Sequence, residues 1–400
     1  MSTYLSDKSY LALKVEATEG VAVVPNSFCP LVSEAIKTIM NYTADRRMKG
    51  YDWKSDDLLK GTRKHEGDIV VLADPDNLAH FFNMTLLKGT TTGSATGYTH
   101  PFTIGAPKSY TIEIQKGPYA QRYFGVKAEQ LKGEYVDQKL QITMSIKAMG
   151  QFSAGKLLAA LSGSVTILKL SHEYDDMPNT GLVIGDVICV ELDSGAYQDV
   201  TLTSVNADGE TVGFGALSIT AAAGNKIYLK AQTPSYATLP RPLFQGNSLI
   251  GVAATSALAD TAAATKATAT PMYGFTFVIK NNLFDAPANG SQSPIKLLPQ
   301  VREAQLSIKR LFETLSQHVA WLNSVKQALT LTNTGDVITG GSTKESFTIK
   351  FHKIKPITND EPLETGSLIM DNQEMEVLYD TTDAKDIEVS IINKIAGTSY

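Results

Sequence analysis

Cysteine is nearly absent from this chain, with only Cys29 and Cys189 in 400 residues. Two thiols so far apart exclude a disulfide framework and any CxxC metal site, and they fit assembly in a reducing cytoplasm. Histidine is scarce as well. The six residues (His65, His80, His100, His172, His318 and His352) contain no HExxH pair, so no metal site is expected. There is no excess of positive charge: 36 Lys and Arg stand against 41 Asp and Glu, for a net charge of −5. That balance gives no global basic footprint for nucleic acid or an anionic membrane. Long apolar runs are missing too. The most lipid-like stretch, 249–271, is diluted by Thr and Ala and broken by Asp260 and Lys266; it reads as a flexible connector, not a membrane span. The opening MSTYLSDKSY lacks the basic patch and apolar core of a secretory signal. No GxGxxG follows a strand, and neither a GxSxG elbow nor a Walker loop occurs. HEYDD at 172–176 has metal-friendly residue types but reads as an acidic linker. Catalytic residues and cofactors are therefore not expected.

What the chain does contain is alternation. SYTIEI at 109–114 and SFTIKF at 346–351 are nearly one phrase written twice, and their surroundings repeat as well. Before the first lies HEGDIVVLADPDNLAHFFNMTLL (65–87). Ile69 and Val71 alternate there as in a strand, and Asp74-Pro75-Asp76 then opens a helix. Leu78, Phe81, Phe82 and Thr85 mark the face of that helix. Before the second phrase lies VREAQLSIKRLFETLSQHVAWLNSV (301–325). Leu306 and Ile308 alternate, Thr314 and Gln317 form a capping box, and Leu315, Val319, Leu322 and Val325 form an apolar stripe. Gly/Thr-rich hairpins follow at 88–97 and 332–343, and each segment closes on alternating strands, with Leu140, Ile142, Met144 and Ile146 in one and Ile387, Val389 and Ile391 in the other. The order strand, helix, hairpin, strand, strand occurs twice, which predicts a duplicated unit.

Between the copies, 181–230 consists of short alternating runs separated by DSG, ADG and AGN. These tight-turn residues predict a compact all-β module of about five strands. The expected fold is thus mainly β (α+β): two tandem sandwich or barrel units at 1–165 and 241–400, each with a flanking helix, and a small β insert at 166–240. Thr143, Ser145 and Lys147 in one copy, and Gln305, Ser307 and Lys309 in the other, face away from the apolar side. Such sheets can be solvated on one face, or join edge to edge between subunits into a barrel with a polar lumen.

Two charge features stand out. Within 45–66 there are seven Lys/Arg against five acids, around Tyr51 and Trp53; a mixed-charge loop with aromatic anchors suits a protein interface. Segment 107–156 holds eight Lys/Arg and four acids, whereas 355–388 holds ten acids against Lys355 and Lys385. Opposite charge on the two copies can steer unlike faces together head to tail, and heterologous contacts of that kind close into rings.

Several segments, in this order, resemble the major tail tube protein of a long-tailed (siphovirus-type) bacteriophage. They are YLALKVEATEGVAVVP with its acid-Thr-x-Gly phrase at Glu16–Gly20, GDIVVLADPDNLAHFF, KSYTIEIQKG followed by YFGVKAEQL, YGFTFVIKNNLF at 273–284, ESFTIKFHKI and the closing IEVSIINK. The resemblance covers most of 1–160 and 271–400. It implies a helix-flanked β-sandwich whose strands join a continuous ring barrel, with no catalytic residues. It also implies a loop that contacts the next ring, placed here on Arg46, Arg47, Lys49, Tyr51, Trp53, Lys54, Asp56, Asp57, Lys60, Arg63 and Lys64. A duplicated subunit would let three chains build a pseudo-sixfold ring. The implied partners are further copies of the chain and the tape-measure and tail-tip or terminator proteins, with DNA passing through the lumen without sequence recognition. The implied location is the virion tail, after assembly in the host cytoplasm. The alternative is a carbohydrate-binding or adhesion protein with the insert as its recognition module. Against it, Tyr197, Phe214 and Tyr228 are the only aromatics of 181–230 and do not cluster in sequence.

Overall fold

Alternation makes most of this chain strand. The computed structural model describes residues 9–44, 58–172, 181–206, 209–236, 241–287, 291–312, 315–362, 368–397 and 400. The first half contributes β1 (Leu11–Val15), β2 (Lys37–Ala44), β3 (Leu58–Leu72), α1 (Pro75–Thr85), β4 (Gly97–Thr103), β5 (Tyr110–Lys116), β6 (Tyr119–Val136), β7 (Lys139–Ala148) and β8 (Gly150–Phe152). The insert adds β9 (Ala154–Leu157), β10 (Ser164–His172), β11 (Val187–Glu191), β12 (Tyr197–Val205), β13 (Thr211–Ser218) and β14 (Lys226–Leu229). The second half adds β15 (Ser248–Ala253), α2 (Ser256–Ala262), β16 (Gly274–Lys280), β17 (Glu303–Leu311), α3 (Ser316–Leu322), β18 (Gln327–Val337), β19 (Lys344–Asp360), β20 (Met370–Val377) and β21 (Ile387–Asn393). The protein is mainly β.

The two halves share one strand order. In the first, β2 pairs with β3, β3 with β7, and β7 with the C-terminal part of β6. In the second, β16 pairs with β17, β17 with β20, and β20 with the C-terminal part of β19. A second layer repeats too: β1–β5–β6–β8 is matched by β15–β18–β19–β21. The long strands β6 and β19 therefore serve both layers, and bulges make the bend. The ladders of β6 shift between Tyr123 and Val126 and between Ala128 and Gln130; those of β19 shift between Phe351 and Ile354 and between Pro356 and Thr358. One displacement along the chain carries both bulges of β6 onto both bulges of β19.

That correspondence corrects the sequence reading in one respect. SYTIEI lies on β5, whereas SFTIKF opens β19, whose structural counterpart is β6. The two phrases share an alternation of residue types, but neither a position nor a burial pattern: SYTIEI is buried on both faces, whereas SFTIKF is fully buried on one face only. The 332–343 segment also differs from expectation, because β18 runs through it to Val337. So does 249–271, which holds β15 and α2. Gly251 explains how: a Cβ there would lie 2.1 Å from the Ala259 carbonyl oxygen, so only glycine lets α2 rest directly on β15.

The halves are joined by β6 and β16, which pair antiparallel with Leu131 opposite Ile279, Lys132 opposite Val278 and Gly133 opposite Phe277. A Cβ on Gly133 would lie 2.3 Å from the Phe277 ring. Above this seam sits α1. Asp74 caps it, accepting from the Asp76 and Asn77 amides at 3.1 and 2.9 Å, which contributes about 1 kcal/mol. A one-sided apolar face was expected, but every residue of α1 is buried. The cause is cover from the second half. Phe82 stacks on Phe347 and Phe277 at 5.5 and 6.4 Å. Asn393 donates to the Pro75 carbonyl and Asn281 to that of Thr85.

The insert is a closed six-stranded barrel, one strand more than expected, with a core that includes Leu170, Ile188, Val200, Val212 and Ile227. Its first strands, β9 and β10, begin before residue 166.

His80 on α1 is enclosed by the Tyr110 and Tyr400 rings at 5.7 and 4.7 Å. Burial, with a smaller effect from Lys88, pushes its pKa down from 6.5 to about 3. The folded chain therefore holds it neutral, while the unfolded chain takes up a proton below its ordinary value. The stability it contributes is present above pH 6.5 and is lost as pH falls toward 3. His80→Phe should accordingly gain on the unsubstituted protein by about 1.4 kcal/mol per pH unit below that point. Urea unfolding at stepped pH measures the difference, and a difference that stays flat contradicts neutral burial.

Candidate assembly surface

The eight strands β2–β3–β7–β6–β16–β17–β20–β19 form one sheet, and its inner strands divide into a buried and a polar face. On β7, Leu140, Ile142, Met144 and Ile146 are buried, and Thr143, Ser145 and Lys147 lie on the opposite face. On β17, Ala304, Leu306 and Ile308 are buried while Gln305, Ser307 and Lys309 are exposed. The polar face carries both charge signs, and several of its lysines are neutralised. Lys132 pairs with Glu134 at 2.7 Å, and Lys147 with Glu129 and Asp285 at 3.4 and 3.5 Å.

Each end of this sheet is a strand edge. Among the described residues, no strand pairs with the outer edge of β2 or with the outer edge of β19 beyond Ile354. Exposed backbone donors and acceptors of this kind are a template for another chain. Lys37 is exposed at one end, and Asp360, Glu374 and Glu376 at the other.

Next to the β19 edge lies α3. The helix forms where its apolar stripe predicts, but Leu315 occupies its N-cap with no side-chain hydrogen bond; Thr314, half of the expected capping box, lies outside the described residues. Unlike its counterpart α1, α3 packs chiefly on β19, held by a 3.1 Å bond from Trp321 Nε1 to the Ile357 carbonyl. Its stripe faces out: Leu315 is 62% exposed, Val319 46% and Leu322 61%. Ile357, Leu368 and Ile369 are exposed beside it. At the other end of the sheet, an open cavity of about 390 Å³ is lined by Ser9, Leu31, Val32, Ser33, Glu34 and Lys116, among others.

The proposed contact loop is in part a hairpin. Residues 41–44 belong to β2 and 58–67 to β3, and the two strands pair from Lys37/Glu66 to Ala44/Leu58. Arg46, Arg47, Lys49, Tyr51, Trp53, Lys54, Asp56 and Asp57 lie outside the described residues. Lys60 stands opposite Tyr42 on the ladder. Lys64 pairs with Asp285 at 3.2 Å. Arg63 is buried, and its guanidinium donates to Ser293 Oγ at 2.8 Å; its side chain is spent inside the chain, because β3 turns it toward 291–293 instead of solvent.

The densest buried charge lies elsewhere and is an anchor. Arg122 of β6 bonds Glu113 of β5 at 2.7 Å and grips Asp186 of the insert with both Nη atoms, at 2.6 and 2.8 Å. All three are almost fully buried. Burial alone would lower the Arg122 pKa, but Asp186 and Glu113 more than offset it and hold the guanidinium charged. Glu113 also accepts from Tyr10 and Gln232, so both its oxygens are engaged within the chain and neither is directed at a substrate. The acid-Thr-x-Gly phrase is likewise architectural. Buried Glu16 accepts from the Gly20 and Gly125 amides at 2.9 and 2.8 Å and from Thr111 Oγ1 at 2.9 Å, closing a turn where Gly20 has φ +78°. Among the described residues, no three His, Cys, Asp or Glu side chains gather in a way that could hold a metal ion. Among them, too, no helix is long and apolar enough to cross a membrane.

Two insert tyrosines that are remote in sequence do meet. Tyr197 and Tyr228 lie 5.2 Å apart, and Tyr119 of β6 lies 6.4 Å from Tyr228. The rings are inclined at 59° and 64°, so they share no flat face.

Residues 6–377 match the family model described as phage tail tube protein. No curated protein matches the chain.

Replacing Arg122 with Met leaves Glu113 and Asp186 buried and unpaired, which should cost about 3–5 kcal/mol. Urea unfolding measures it. Neutralising the partners as well, with Glu113→Gln and Asp186→Asn, should recover part of the loss. A single-variant cost below about 1 kcal/mol contradicts the anchoring role.

Proposed function

The chain belongs to the phage tail tube protein family, and we propose that it polymerises into stacked rings that form the tail tube, the conduit for DNA during infection. As a tail tube protein it is a structural component of the virion tail, and the family is not one of enzymes. The observation that carries the finer reading is the seam between β6 and β16. There, two halves of like strand order are already joined edge to edge into one sheet, and the edges left over at the ends, β2 and β19, are the counterparts of the two edges that the seam uses up.

On this reading, residues 1–165 and 241–400 are two copies of one unit, and three chains make a pseudo-sixfold ring. The polar face of the eight-stranded sheet lines the lumen. Ion pairing of Lys132 and Lys147 on that face supports passage of DNA without adhesion, because free Lys and Arg supply most non-specific phosphate affinity. The insert is rooted through Arg122 in the other layer and decorates the outside. The segment between β2 and β3, with Arg46, Arg47, Tyr51, Trp53 and their neighbours, contacts the next ring. Tape-measure and tail-tip or terminator proteins are the further partners of the assembly, which forms in the host cytoplasm. The adhesion alternative draws less support, since inclined tyrosine rings offer no common plane on which a sugar could stack.

Negative-stain electron microscopy of purified protein at rising concentration, with mass per ring from scanning transmission measurements, tests the proposal. The expected result is stacked rings with a central hole and a mass per ring of three chains. Rings of six chains contradict the duplication, and a failure to form rings even with tail-tip proteins added contradicts the tube reading.

A further inference from the structure

We propose that neighbouring copies bind head to tail by repeating, between chains, the junction that joins the two halves within one chain. The proposal rests on the tube reading and specifies its contact residue by residue.

The internal junction has three parts. The C-terminal part of β6 pairs with β16. The helix above the seam, α1, is wholly buried, with Phe277, Asn281, Phe347 and Asn393 of the other half completing its cover. Tyr135, near the end of β6, reaches the other half, where Asn333 donates to its hydroxyl at 3.1 Å and Ser248 Oγ bonds it as well. Each part has an unfilled counterpart at the ends of the chain. The β2 edge and the β19 edge lack strand partners among the described residues. The α3 stripe lies open. The cavity at Ser9, Leu31, Glu34 and Lys116 occupies the position that Tyr135 fills in the second half. The ladders establish this last equivalence: Leu11 opposite Ile114 matches Ile250 opposite Leu331, which puts Lys116 where the second half has Asn333.

The ladders also give the register. Ala128 opposite Ile146 matches Pro356 opposite Met375, so Lys132 corresponds to Asp360 and Gln130 to Thr358. Ile69 opposite Glu34 matches Ile308 opposite Phe275, so Val278 corresponds to Lys37 and Lys280 to Ile39. Lys132 faces Val278 and Gln130 faces Lys280 within the chain. Between chains, Asp360 of one copy therefore faces Lys37 of the next, and Thr358 faces Ile39. This register follows from backbone pairing alone, yet it brings together two exposed residues of opposite sign, on the polar face. Directly opposed unlike charges favour a strand pair, and like charges oppose it. The occupant of the α3 stripe and of the cavity is accordingly a second copy of this chain.

Paired cysteines test the register, because directly opposite Cβ atoms on antiparallel strands lie roughly 4.5–5.5 Å apart and both native cysteines are buried. Tubes of Lys37→Cys/Asp360→Cys protein, oxidised and run without reductant, should give inter-chain dimers and higher multiples. Lys37→Cys/Asn359→Cys, one residue out of register and on opposite faces, should give none. As an independent check, Lys37→Glu should raise the concentration needed for polymerisation several-fold, and Lys37→Glu/Asp360→Lys should restore it; near-ultraviolet circular dichroism verifies that each monomer is folded. Unsubstituted tubes whose 37/360 variant fails to cross-link, or a charge exchange that fails to restore a folded variant, overturns the register and leaves the tube reading standing. If the unsubstituted protein forms no tubes with tail-tip proteins present, both fall.

Discussion

The pairing of β6 with β16 is the constraint on which the rest of the structure depends. A strand edge buried without partners strands its amides and carbonyls, so two four-stranded sheets in one chain gain most by meeting edge to edge. The residues around the seam are shaped for it. Gly133 leaves room for the Phe277 ring, Phe82 stacks on that ring from above, and Asn281 and Asn393 hold the two ends of α1. Burying each such aromatic contributes about 1.5–3 kcal/mol, which makes the seam as firm as a domain core. The same geometry leaves one edge of each kind open at the ends of the sheet, and self-association follows from that asymmetry.

Bulges give the sheet its second use. Because β6 and β19 bend at equivalent bulges, one strand supplies both the polar-faced sheet and the layer behind it. The apolar sides of the two layers face one another across a single core. The insert is anchored in the rear layer, through a buried arginine that bridges two carboxylates. An attachment there leaves the polar face and both edges of the front sheet unobstructed.

Much of this was legible in the sequence, because alternation and capping are local. Asp74-Pro75 marks the start of α1, the period of β7 and β17 gives their faces, and the turn residues of 181–230 give the insert. The repeat of elements was legible too, but its register was not. SYTIEI and SFTIKF are alike only in their residue types: β5 is buried on both faces from Tyr110 to Ile114 and the first part of β19 on one, and alternation alone does not identify a strand's neighbours. Nor does sequence separate α1 from α3. Both carry an apolar stripe, and only the fold reveals that one is covered by the other half while the other is left open. Arg310 breaks the pattern in another way. It follows Leu306 and Ile308 on the buried face and is matched there by Asp371 at 2.7 Å, where the first half sets Val71 against Ile142. A pairing partner so distant in sequence leaves no local trace.

Hydrogen exchange of the α1 and α3 amides, compared in monomer and tube, tests most directly whether the inner junction is the template for the outer one. In the monomer, α1 should be protected while α3, open to solvent along its stripe, exchanges quickly. In the tube, α3 should slow toward the rate of α1. If α3 exchanges as fast in tubes as in monomers, no second copy covers it, and the chains do not assemble by repeating their inner junction.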